Sequence, residues 1–130
     1  KRILDESKKP EPLLCIIDEV LRGTNTIERI AASSRILAAL HQNWVIPFAA
    51  THDIELSYIL EDLYDNYHFE EEVKEKEVVF SYILKKGRAT SRNAIRLLDM
   101  LEYDLGIVEG AAKAARDFEE KGVWESLKPV

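Results

Sequence analysis

The apolar positions change period several times along the chain, and each change marks an element. Leu13-Leu14-Cys15-Ile16-Ile17 is uniformly apolar and follows the helix-breaking Lys8-Lys9-Pro10-Glu11-Pro12. It is predicted to be a short strand covered on both faces, of the kind that sits centrally in a parallel sheet. From Ile27 the pattern turns helical through Ile30, Ala31, Ser34, Leu37 and Ala38, and Asn25 with Glu28 three residues on resembles a capping box, so a helix is expected to reach about His41. Trp44-Val45-Ile46-Pro47-Phe48-Ala49-Ala50 is a second strand, in which Pro47 must stand at an edge, a bulge or the strand start because it has no N–H to donate. Leu56, Ile59, Leu60 and Leu63 are expected to form the buried stripe of a short helix with Asp53 near its N-terminus. Residues 64–69 and 78–84 are predicted strands, the second alternating Val78, Phe80, Tyr82 and Leu84; the charged residues 70–77 between them read as a solvated connection, and Lys85-Lys86-Gly87 as a turn. Two helices follow, one from about Ser91 with Ala94, Ile95, Leu97, Leu98 and Leu101 inward, the other from about Gly106 with Val108, Ala111, Ala112, Ala115 and Phe118 inward. Strand, helix, strand, helix, then a strand pair and a helix pair indicate an α/β fold, a layered sheet with flanking helices and a partly antiparallel edge.

Length and composition narrow the function classes. At 130 residues the chain can bury one core, and 46% hydrophobic with 32% charged residues is the balance of a globular protein rather than a disordered one. A net charge of -6 provides no basic stripe for phosphates, so any DNA contact is expected outside this segment. The single Cys15 rules out an internal disulfide framework, and no run approaches the ~18 apolar residues of a membrane helix; a cytoplasmic location with no membrane partner is expected. Because the chain opens with Lys1 inside an amphipathic stretch, it is expected to be a segment of a longer protein.

The most informative chemistry is Asp18-Glu19 at the end of the first strand, since the C-terminal edge of a parallel strand is where α/β sheets hold ligands. In a nucleotide site the first carboxylate can hold Mg²⁺ and the second can orient or deprotonate the attacking water. The plainer alternative is an acidic start to a solvated turn. His52, after the second strand, could reach the same water or a phosphate, although a lone histidine there is often only a turn residue. Arg22-Gly23-Thr24-Asn25-Thr26 is a polar loop leading into a helix N-terminus, a setting that suits either an anion or a simple cap. None of the five glycines belongs to a phosphate-wrapping G-x-x-x-x-G-K-[ST] loop, and His41 and His68 have no zinc-ligand spacing.

Taken together, Leu13-Leu14-Cys15-Ile16-Ile17-Asp18-Glu19, Arg22-Gly23-Thr24-Asn25-Thr26 and Ala50-Thr51-His52-Asp53-Ile54-Glu55-Leu56 resemble, in order and spacing, the ATPase domain of the MutS DNA mismatch-repair family. Asn66-Tyr67-His68-Phe69, the region from Phe80 to Leu84, Gly87 and the final helix pair extend the likeness over nearly the whole chain. The resemblance implies a partial P-loop NTPase fold of the ABC type, with residues 1–130 forming its C-terminal part and the phosphate-loop half lying elsewhere. It implies ATP and Mg²⁺ as cofactors, with Asp18 as the metal-holding member of the Walker B pair, Glu19 as its catalytic member and His52 as the switch histidine. Thr24, Asn25 and Thr26 would face the nucleotide across a homodimer interface; Asn25 stands where serine is more usual in the family. DNA would be bound by other parts of the parent protein. A different ABC-class ATPase is disfavoured by the Arg22-Gly23-Thr24 loop and the tail, and a non-catalytic dimerisation module would keep the fold without the turnover.

Overall fold

A computed structural model of the chain describes residues 1–75, 77–90 and 93–129, and these fall into two compact units. The first comprises Lys1–His68 with Lys85–Ala89. Its elements are α1 (Arg2–Ser7), β1 (Leu13–Asp18), α2 (Thr26–Ala39), β2 (Val45–Ala50), α3 (Ile54–Ile59), β3 (Tyr67–His68) and, after the excursion of the second unit, β6 (Lys85–Lys86). β1 and β2 pair in parallel, from Leu13 opposite Val45 to Asp18 opposite Ala50, and α2 is the crossover that a parallel pair requires. Backbone bonds from Leu13 N–H to Trp44 O and from Glu19 N–H to Ala50 O extend the ladder beyond both ends. Pro47 is tolerated in the middle of β2 because, among the described residues, β2 has one neighbour and leaves alternate N–H positions unpaired.

The core of this unit is small: Leu37, Leu40, Leu56 and Leu60 are buried, with Ile17, Val20, Ile30 and Tyr64 packed against them. Of the expected buried stripe, Ile59 and Leu63 are instead exposed, because α3 ends at Ile59 and Leu63 lies beyond it. Tyr64 Oη donates to Leu37 O (2.7 Å), which ties the chain after α3 to the last turns of α2. Trp44 Nε1 donates to Ser7 O (2.9 Å) and so fixes α1 beside the start of β2. Arg88 lies 4.1 Å over the Tyr58 ring, donates to Ser57 O and pairs with Glu61, which holds the segment after Gly87 to α3 and the turn that follows it.

Only one face of the parallel pair is covered. Cys15 and Val45 are buried, whereas Leu14, Ile16, Ile46 and Phe48, adjacent across the register on the other face, are 60%, 76%, 62% and 60% exposed. The expectation of a strand covered on both faces is therefore corrected: the helices of this unit meet β1 through Ile17 on one side, and no described residue shields the other. The antiparallel pairs also form separate two-stranded sheets rather than the edge of one layer.

The second unit is Phe69–Leu84 with Thr90–Val130. Here β4 (Glu71–Lys74) and β5 (Glu77–Phe80) make an antiparallel hairpin, followed by α4 (Ala94–Met100) and α5 (Leu105–Lys121). The charged stretch read as a connection is thus itself the hairpin; solvated strands carry no burial-driven alternation to betray them. The strand predicted to run to Leu84 stops at Phe80, and Tyr82 adopts a left-handed φ of 54° that no strand continues through. Lys85-Lys86 pairs with a strand reduced to Tyr67–His68, and the turn falls at Gly87, whose φ of 102° needs glycine. The expected start of the first late helix, Ser91, lies outside the described residues. α5 is capped by Asp104, which accepts from Gly106 N–H (2.9 Å), and ends at Gly122 in the left-handed conformation (φ 72°), with Phe118 stacked on Trp124 at 4.1 Å. Its least exposed side chains include Val108, Ala111, Ala112, Ala115 and Phe118, the predicted inner stripe. In α4, Ile95 and Leu98 are half-buried, while Ala94, Leu97 and Leu101 are exposed in place of the inward positions expected.

Candidate functional site

Parallel pairing carries the C-terminal ends of β1 and β2 to the same edge, so the acidic tip of one meets the Thr51-His52-Asp53 turn of the other. Glu19 leaves β1 with a φ of 60°, a left-handed conformation that costs a non-glycine residue roughly 1–2 kcal/mol. The bend breaks the strand's alternation and parts the two carboxylates. Asp18 stays with the open face, its side chain 80% exposed, while Glu19 turns toward β2 and is only 24% exposed. Glu19 Oε1 then lies 3.8 Å from His52 Nε2, too far for a direct hydrogen bond and close enough for both groups to hold one small polar molecule. The imidazole is otherwise fully exposed.

The loops around this gap are locally determined. Arg22 Nη2 donates to Asp18 O (3.3 Å) and approaches its carboxylate at 3.5 Å, closing the turn after β1, and Gly23 supplies a φ of 67°. Asn25 Oδ1 accepts from the N–H groups of Ile27 (3.0 Å) and Glu28 (3.3 Å), making it the N-cap of α2. Thr24, Asn25 and Thr26 are all exposed. On the β2 side, Asp53 N–H donates to Thr51 Oγ1 (3.0 Å), which folds His52 outward.

One interaction at this edge has no sequence signal. Arg29, one turn into α2, grips Asp53 with two bonds, Nε to Oδ2 at 2.8 Å and Nη2 to Oδ1 at 2.5 Å. The two side chains are 23% and 13% exposed. Hydrogen bonding to Arg29 holds the Asp53 carboxyl below the usual carboxylate range, and the same contact raises Arg29. The partners are 24 residues apart, and Asp53 on its own reads as a helix-start acid; only the parallel register makes them neighbours.

Residues 1–119 match the family described as MutS domain V. The chain belongs to this family. It is 35% identical over 118 residues to the DNA mismatch repair protein MutS of Aquifex pyrophilus, an alignment covering 88% of this chain and 14% of that protein. Against the DNA mismatch repair protein MSH3 of Eremothecium gossypii it is 33% identical over 112 residues, 79% of this chain and 11% of the relative. Identity to the MutS of Thermus thermophilus is 28% over 101 residues, 78% and 12% of the two chains. The MutS domain V segment thus spans about one-seventh or less of these relatives. Among the described residues no helix is long and apolar enough to cross a membrane.

Proposed function

We propose that this chain is the C-terminal part of a P-loop, ABC-class ATPase domain in a MutS-type protein, and that ATP binding and hydrolysis there serve DNA mismatch repair or a related DNA transaction. The observation that carries the reading is the meeting of Glu19 and His52 at the shared C-terminal edge of two parallel strands. Membership of the MutS domain V family, and relatives named as mismatch repair proteins, support the biological setting. The apolar patch of Leu14, Ile16, Ile46 and Phe48 supports a missing layer, which the phosphate-loop half would supply.

In this reading the exposed Asp18 carboxylate is the protein's contribution to Mg²⁺, an ion that takes one or two carboxylates beside phosphate oxygens and water. When bound, the ion would neutralise charge on the triphosphate. Glu19 accepts the proton of the attacking water, and its partial burial keeps the carboxylate directed. His52 donates to the γ-phosphate or to the same water. Thr24, Asn25 and Thr26, all exposed, meet the nucleotide from across a homodimer interface, Asn25 through its Nδ2 donors because its Oδ1 caps α2. DNA is engaged by parts of the parent outside residues 1–130, and a cytoplasmic location belongs to the same reading.

The test is Glu19→Gln in the full-length protein. Loss of the proton acceptor lowers kcat by about 100-fold or more, with ATP affinity within about twofold of wild type. Unchanged turnover would remove Glu19 from this role.

A further inference from the structure

We propose that Arg29 is a positioning residue for the ATPase site: its two-point grip on Asp53 holds the 51–53 turn, and with it His52, in register with Glu19. The inference rests on the ATPase reading above for its consequence, but its geometry stands apart from it. Among the described residues the His52 backbone makes no hydrogen bond of its own; the turn is held by Thr51 Oγ1 and by the neighbouring Asp53 carboxylate in the Arg29 fork. Planar bidentate pairing fixes orientation as well as distance, which a single lysine contact does not. Arg29 also belongs to the first turns of α2, and its own N–H bonds to Asn25 O (2.8 Å). The fork therefore staples the helix that begins at the Thr24, Asn25 and Thr26 loop to the turn that presents His52, so that displacement of one strains the other.

The charged groups around His52 are Glu19 from the end of β1, Asp53 in its own turn, Arg29 from α2, and Glu55 at the start of α3, which acts on Arg29. Replacing the pair by the neutral, similarly shaped Arg29→Met with Asp53→Asn removes the fork without leaving an unpaired charge. Two measurements on the full-length protein then decide. The first needs no nucleotide: with ¹³C-labelled histidine, the His52 ring signal is assigned by its loss in His52→Gln. Glu19→Gln should displace that signal by more than a line width in the wild-type background and leave it unmoved when the fork is gone. The second is steady-state hydrolysis, in which the double variant loses about tenfold in kcat with ATP KM within about twofold. The exchanged pair, Arg29→Asp with Asp53→Arg, recovers most of that loss.

A His52 signal that still responds to Glu19→Gln in the neutral background overturns the proposal, as does an unchanged kcat where Glu19→Gln abolishes turnover. If Glu19→Gln leaves wild-type turnover unchanged, the proton-accepting role of Glu19 falls, and the spectroscopic arm still decides the positioning role. Should the neutral pair fail to fold, Arg29→Lys, keeping charge but one contact, is carried through both measurements. An intermediate kcat and a weakened signal response are expected; wild-type values in both refute the role.

Discussion

Asn25 offers the sharpest separation between holding the fold and touching a partner, because its side-chain oxygen is already committed. It accepts from Ile27 N–H at 3.0 Å and from Glu28 N–H at 3.3 Å, two of the four donors that the start of α2 leaves without intrahelical partners. Asn25→Ala removes both acceptors. The site is exposed, so water replaces part of what is lost, and the cost is about 1 kcal/mol, near the centre of the range for N-cap deletions. That is roughly a fivefold fall in the folding equilibrium constant. Asn25→Ser, which keeps a capping oxygen, should cost no more than a few tenths of a kcal/mol. Urea unfolding followed by tryptophan fluorescence measures both, since Trp44 is fastened to α1 through Ser7 O in the same unit. Equal destabilisation by serine and alanine would refute the cap. A further arm reaches the chemistry: loss of the first turn loosens Arg29, so alanine should slow ATP turnover in the full-length protein and serine should restore it.

Acid should weaken the Arg29–Asp53 fork in a defined direction. Asp53 is held below its ordinary value of 3.8, so its contribution is complete above that pH and is lost as pH falls through the depressed folded value. Urea midpoints taken from pH 5 down to pH 2 should therefore fall more steeply for wild type than for Asp53→Asn, and parallel curves would contradict the assignment. At the end of α5, Gly122→Ala places a side chain in the left-handed region (φ 72°) with no steric neighbour, so the loss of about 1 kcal/mol comes from the backbone alone. Helix content and thermal unfolding by circular dichroism report it, and an unshifted melting curve would mean that the cap opens without consequence.

The legible part of the fold was the part where burial writes a pattern. The helical stripes place Leu37, Leu56 and Leu60 in the core, and Asn25 announces where α2 begins. The hairpin of β4 and β5 was illegible because Glu71, Glu72, Lys74 and Glu77 lie in water, where pairing depends on the turn and not on hydrophobic period. β1 departs from its pattern for the opposite reason: uniform apolarity predicts a strand covered on both sides, and the described residues cover one. At the site, Asp18, Glu19 and His52 are legible as neighbours because they end or closely follow two readable strands. The grip of Arg29 on Asp53 could not be, since it depends on a register between elements and leaves no periodic trace.

The bent backbone at Glu19 makes folding and chemistry rank the same position differently. A library of all substitutions there, sorted for well-folded protein, should enrich glycine and asparagine above the native glutamate, because both relax into a positive φ. The same library sorted for a working protein in the cell should keep glutamate. Disagreement between the two orderings would be a signature of selection for reactivity, obtained without a purified enzyme.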